Sequence, residues 1–103
     1  LSWNTLSVLD TRRWMWCSKK VSGDAPGLRV GHTATTVSSS LVVIFGGIDA
    51  ELNFFDSVHV LDTRGSTWSW RHPTVSGMGP RKRMGHSATL LPDGSTILVY
   101  GGA

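Results

Sequence analysis

The chain has 103 residues, the length of one small domain, and its 40% apolar share is too high for a disordered tail. No apolar run approaches the ~18 residues of a membrane-spanning helix, and a single cysteine, Cys17, leaves no disulfide framework and no cysteine-rich metal knuckle. The formal charge is +3, with basic clusters at Arg12-Arg13, Lys19-Lys20 and Arg81-Lys82-Arg83 scattered among turn-forming residues. A nucleic-acid surface concentrates such groups on one face, so none is expected here.

The first element in chain order is Thr5-Leu6-Ser7-Val8-Leu9-Asp10. Leu6 and Val8 share one face of a period-two pattern, which predicts a β-strand. Asp10-Thr11 ends it, because short oxygen-bearing side chains capture nearby backbone N–H groups and favour a turn. Arg13-Trp14-Met15-Trp16 follows, and its two indoles, two residues apart, lie on the same strand face. Such a pair can be a platform for stacking sugars; packing between neighbouring sheets is the plainer expectation, since each indole removes a large area from water. Val21-Ser22-Gly23-Asp24-Ala25-Pro26 carries no apolar period and is punctuated by Gly and Pro, so it reads as a surface connection.

Arg29-Val30-Gly31-His32-Thr33-Ala34-Thr35 opens a strand that is small and polar at alternate positions. After Ser38-Ser39-Ser40, the run Leu41-Val42-Val43-Ile44-Phe45 is apolar on both faces, as expected of a strand covered on both sides. Gly46-Gly47 stops it, where a Cβ would forbid a positive φ or a close backbone approach. A long connection, 48–55, leads to Val58-His59-Val60-Leu61-Asp62, which repeats the first strand 52 residues on, and Trp68-Ser69-Trp70 repeats the Trp pair 54 residues on. Val75-Ser76-Gly77-Met78-Gly79-Pro80 then returns the surface connection. Arg83-Met84-Gly85-His86-Ser87-Ala88-Thr89 returns the Gly-His strand, and Ile97-Leu98-Val99-Tyr100-Gly101-Gly102 the apolar run with its stop. The offset drifts only where turns differ in length. Self-similarity at a fixed period is the signature of a repeat architecture, and no helix is expected anywhere.

The unit is thus four short antiparallel strands. It resembles the kelch repeat, the module of kelch-type β-propellers. The resemblance is carried by Arg-x-Gly-His-Ser/Thr-Ala, the apolar strand with Gly-Gly, Val-x-Val-Leu-Asp and Trp-x-Trp, in that order and twice over. In place of the aromatic often found on the third strand stand Ser7 and His59. The resemblance implies an all-β fold: a kelch β-propeller fragment with one complete four-stranded antiparallel blade flanked by two half blades. Residues 1–20 would be the outer two strands of a preceding blade. Residues 21–74 would be a complete blade with the loop leading into it, and 75–103 the inner two strands of the following blade. A complete small β domain is the alternative, but a lone sheet leaves unpaired edges.

Kelch propellers include a copper-radical oxidase group resembling galactose oxidase, whose site needs a tyrosine cross-linked to a cysteine. Tyr100 is the sole tyrosine and lies inside an apolar strand, far from Cys17 in the repeat grammar, so that site is not matched. His32 and His86 recur because the unit recurs, and one imidazole per unit falls short of a transition-metal ligand set. Ser87 beside His86 points to the opposite strand face and cannot form a nucleophile–base pair. Neither a catalytic set nor a cofactor is expected.

The resulting expectation is a non-catalytic scaffold whose inter-strand loops bind a protein; the alternative is a segment of a propeller oxidase with its active site elsewhere. Arg29, Arg81, Lys82 and Arg83 are the candidate contacts, suited to an acidic partner, although Arg29 and Arg83 also match a loop-fixing arginine of the family. Gly31, His32, Gly46, Gly47, Asp62, Trp68, Trp70, Gly85, His86, Gly101 and Gly102 are expected to be structural. The remaining blades of the same chain would be further partners, with no membrane segment in this stretch. Lack of an Asn-x-Ser/Thr acceptor and the lone cysteine lean towards a reducing compartment and leave the location open.

Overall fold

The computed structural model describes residues 4–103; the first three residues of the 1–20 segment lie outside the described residues. Nine strands and no helix occur among them: β1 Thr5–Asp10, β2 Met15–Lys20, β3 Ser22–Gly23, β4 Thr33–Val37, β5 Leu41–Phe45, β6 Val58–Asp62, β7 Ser69–Arg71, β8 Ser87–Leu90 and β9 Ile97–Tyr100. They form three sheets: β1–β2, a central sheet in the order β3-β7-β6-β5-β4, and β8–β9. The chain is a kelch-type all-β fold whose four antiparallel strands β4 to β7 make the complete unit.

Period-two patterning sets the register. Ile44 lies opposite His59, Val42 opposite Leu61, and Leu61 opposite Trp70. These residues therefore share one face of the central sheet. Ile44, Leu61 and Trp70 are buried there with Val21, and Leu6, Ala25 and Trp68 pack against them. The opposite face carries Val43, Phe45, Val58 and Val60. It meets the third sheet, where the Phe45 ring stands edge-on to His86 with centroids 5.1 Å apart. The expectation that β5 is covered on both sides therefore holds. Its counterpart β9 is covered on one side only, with Leu98 and Tyr100 exposed.

The stretch 21–26 departs from its reading as a plain surface connection. Val21 and Pro26 are buried, and β3 pairs parallel with β7, Gly23 lying opposite Trp70. Two residues show no period, so this fifth strand left no trace in the hydrophobic pattern. The one local clue is Gly23 itself: at φ 99° its backbone lies so close to that of Trp70 that a Cβ would overlap the Trp70 carbonyl.

The β4–β5 turn falls at residues 38–40, as expected. Ser38 and Ser39 both take positive φ, 52° and 62°, without glycine. The corresponding β8–β9 turn gives that conformation to Gly94 and holds itself with Asp93, whose carboxylate accepts from Ser95 N, Thr96 N and the Thr96 hydroxyl.

Candidate protein-binding surface

Phe45 lies opposite Thr33 and Val58, and Arg71 opposite Val60. This register brings the connections 24–32, 46–57 and 72–86 to one end of the central sheet. The short turns 38–40 and 63–68 lie at the other end. Loops carried on a rigid sheet end in this way are where binding surfaces are usually built.

Each candidate arginine is placed by its repeat. Arg29 Nε donates to the Gly27 carbonyl at 3.0 Å, and Arg83 Nε donates to Arg81 O at 3.0 Å. Arg29 Nη1 donates to Gly46 O at 3.2 Å, and Arg83 Nη1 to Gly101 O at 2.8 Å. The same side chain thus ties the loop preceding a Gly-His strand to the glycine stop that follows it. Arg29 also donates to the Ser57 hydroxyl at 2.9 Å and stacks on Phe55, its guanidinium carbon 3.9 Å from the ring centre. Partial burial lowers the Arg29 pKa from its ordinary value. Arg81 and Lys82 are exposed.

The glycine stop of the central unit is a seat for the next unit. Gly47 N donates to Arg83 O at 2.8 Å, Arg83 N to Phe55 O at 3.2 Å, and Gly85 N to Gly31 O at 3.0 Å. A Cβ on Gly46 (φ 73°) would come within 2.6 Å of His86 Cε1 and 2.8 Å of Arg83 O. His86 closes over this seat, buried, its Nε2 sharing a 2.9 Å hydrogen bond with the Thr33 hydroxyl. Burial is the main force lowering its pKa, with the Arg83 charge acting in the same direction and a hydrogen bond to Phe45 opposing them. Burial, then Arg29 and His86, likewise lower His32. Both histidines of the Gly-His motif therefore favour the neutral form, as packing elements between units do.

An open groove of about 640 Å³ runs between the sheet end and the 72–80 loop, lined by Phe45, Asp56, Val58, His72, Val75 and Pro80 among others. One wall is braced by His72, which stacks on buried His59 at a centroid distance of 4.2 Å and faces the Asp24 carboxylate at 3.5 Å. Burial first, then the neighbouring His72 and Arg29, lowers the pKa of His59. The residue that replaces the usual third-strand aromatic thus still works as a flat packing surface. Sequence reasoning missed the His59–His72 pair, since nothing local links positions on different elements.

At the opposite end, Asp62 organises the β6–β7 turn. Its carboxylate accepts from Arg64 N, from Arg64 Nε and Nη2 at 3.0 and 2.7 Å, and from Arg71 Nη2 at 2.5 Å. These contacts, led by the Arg64 hydrogen bond, hold its pKa far below the usual carboxylate range. Asp10, its repeat partner, accepts from Arg12 N and Arg13 N. Ser87 is exposed while His86 is buried, so the two side chains do lie on opposite sides.

A family model, the KLHDC2/KLHL20/DRC7 Kelch-repeats domain, matches residues 2–103. The chain belongs to the kelch-repeat family. Kelch domain-containing protein 3 of Homo sapiens is 39% identical over 96% of this chain and 25% of its own length. The Rab9 effector protein with kelch motifs of Xenopus laevis is 33% identical over 96% of the chain and 26% of its length. A flagellar outer-arm dynein alpha chain of Chlamydomonas reinhardtii is 39% identical over 84% of the chain and 2% of its length. The chain thus spans about a quarter of the two kelch proteins. Among the described residues no helix is long and apolar enough to cross a membrane.

Proposed function

We propose that this kelch segment is a non-catalytic protein-binding scaffold, whose contact surface is the sheet end bearing connections 24–32, 46–57 and 72–86. The observation that carries this reading is the division of labour within the basic loop. Arg83 holds the loop to Gly101 O, as Arg29 holds its own to Gly46 O, which leaves the adjacent Arg81 and Lys82 exposed on a braced support. Such a loop meets a partner without first being ordered, which reduces the entropy lost on binding. Two uncompensated cations beside the groove favour an acidic partner segment. A kelch-motif relative named as a Rab9 effector supports the general role in protein recognition. In this reading, further kelch units of a longer chain would complete the scaffold, with 1–20, 21–74 and 75–103 as outer half, whole unit and inner half.

The test is affinity capture by the native protein and by its Arg81→Glu/Lys82→Glu variant. Capture of one protein by the wild type, lost or reduced at least about tenfold in the variant, supports the surface; each lost charge contact accounts for roughly a few-fold at the rim. Undiminished capture sinks the acidic-partner assignment. Thr96→Glu, at the opposite end of the fold, controls for a general charge effect.

A further inference from the structure

The connection 72–86 is held at two places by different chemistry. Its far part is fixed by Arg83, which donates to Arg81 O and Gly101 O, and a guanidinium keeps its charge at any ordinary pH. Its near end is fixed by imidazoles. Val60 lies opposite Arg71 in the antiparallel β6–β7 pair, so one further step sets His72 opposite His59. The two rings stack at 4.2 Å with planes 16° apart. β3 runs parallel to β7 with Gly23 opposite Trp70, which delivers the next residue, Asp24, to the same sheet end. Its carboxylate stands 3.5 Å from His72 Nδ1. Asp24, His59 and His72 thus meet where the 72–80 wall of the groove begins.

We propose that this cluster is a pH-sensitive clasp, closed while His59 is neutral and opened when both stacked rings carry a proton, which frees the near end of the 72–80 loop. As regulation of the surface bearing Arg81 and Lys82, the clasp rests on the function proposed above; as a property of the loop it stands by itself.

The groups around the stack set its direction. His59 is buried, and its Nδ1 has no hydrogen-bond partner among the described residues. A proton placed there lacks an acceptor. It also adds a positive charge near Arg29 and, once His72 is protonated, a like charge at the stacking distance. Asp24 opposes these effects from an exposed position where solvent screens it, and Asp56 is a further carboxylate lining the groove with His72. Burial first, then His72 and Arg29, holds the His59 pKa below its ordinary value. A histidine lowered on folding contributes stability that is present above the unfolded value of about 6.5 and lost as pH falls through the folded one. The clasp is therefore closed at neutral pH and opens in acid. Arg81 and Lys82 then hang from the Arg83 anchor alone, and a loop ordered less beforehand binds more weakly.

The clasp is tested in the native protein with a nitroxide label on Thr74→Cys, an exposed site two residues from His72, in a Cys17→Ser background. Electron paramagnetic resonance spectra are recorded from about pH 7.5 to about pH 5, on either side of the histidine range. An immobilised component at the upper end, lost towards the lower, is expected. His72→Ala should lack that component throughout. His59→Phe, which keeps a flat ring without a site for a proton, should retain it throughout. A wild-type spectrum that does not change with pH overturns the clasp, as does the same loss in His59→Phe. Asp24→Asn removes the opposing charge at an exposed position, so release should move to higher pH. An unmoved midpoint overturns the proposal, and this variant decides the matter if His59→Phe does not fold. Capture at neutral pH, where the clasp is closed, still reports on Arg81 and Lys82 alone, so clasp and binding surface fail separately.

Discussion

Trp14 and Trp16 occupy the same places in the repeat as Trp68 and Trp70, yet their surroundings differ, and Trp14, expected on the strand with Trp16, instead sits in the turn before β2 at φ 56°. Trp70 lies against Val21, Ile44 and Leu61 and is packed over by Leu6, a residue of the neighbouring sheet. Trp16 lies opposite Leu9 in a two-stranded sheet, and both are exposed. The difference arises beyond the strand: a repeat unit buries its apolar face only where another sheet stacks upon it, as in repeat architectures generally. The Trp pair as an inter-sheet packing element therefore holds for the copy that has a neighbour.

Two substitutions sharpen this contrast. The largest effect is expected for Trp70→Ala, which should lower unfolding free energy by about 3–5 kcal/mol in urea titrations at matched protein concentration. Trp16→Ala, at a side chain 70% exposed, should shift it by less than about 0.5 kcal/mol, as exposed sites do. Equal losses at the two positions would break the comparison.

The second contrast sets Gly46 against Gly101, which share a φ of 73°. Alanine in a left-handed conformation costs roughly 1–2 kcal/mol at either place. At Gly46 the new methyl also meets His86 and Arg83 O, whereas at Gly101 it meets open space. A further loss of about 1–3 kcal/mol is expected for Gly46→Ala alone, readable from thermal or urea midpoints of the two variants.

The smallest effect concerns Asp62 against Asp10. Because the folded pKa of Asp62 lies well below its unfolded value, its contribution is fully present above about pH 4 and is lost as pH falls towards the folded value. Asp62→Asn should therefore be less stable than wild type at neutral pH, with the gap narrowing as acid is added below about pH 4. Arg64 and Arg71 are more than half exposed, so solvent screens the ion pairs and the effect is modest. Asp10→Asn, whose nearest guanidinium nitrogen, Arg13 Nε, stands at 3.7 Å, should change the urea midpoint less.

Much of the fold could be read from local features, because the features that specify it act over a few residues. Alternation at Val58-His59-Val60-Leu61 marks a strand, Asp62 a turn, and Gly46-Gly47 a stop. Their recurrence at an offset that drifts only with turn length implies strand order and the likeness of the two units. The candidate surface was legible in part. Arg29, Arg81, Lys82 and Arg83 could be placed in loops, but their separate uses depend on which carbonyls and rings lie across the fold.

By itself, then, the sequence determined the all-β class, the order and repetition of the strands, and the glycine, aspartate and tryptophan positions that punctuate them. Only the tertiary structure decided which tryptophans are covered, that 22–23 adds a parallel strand, that His59 stacks on His72, and that Arg29 is bound inward while Arg81 and Lys82 face outward. The reason is one of range: strand and turn preferences are properties of a residue and its near neighbours, whereas burial and pairing are set by what a sheet finds beside it, fifty residues away along the chain.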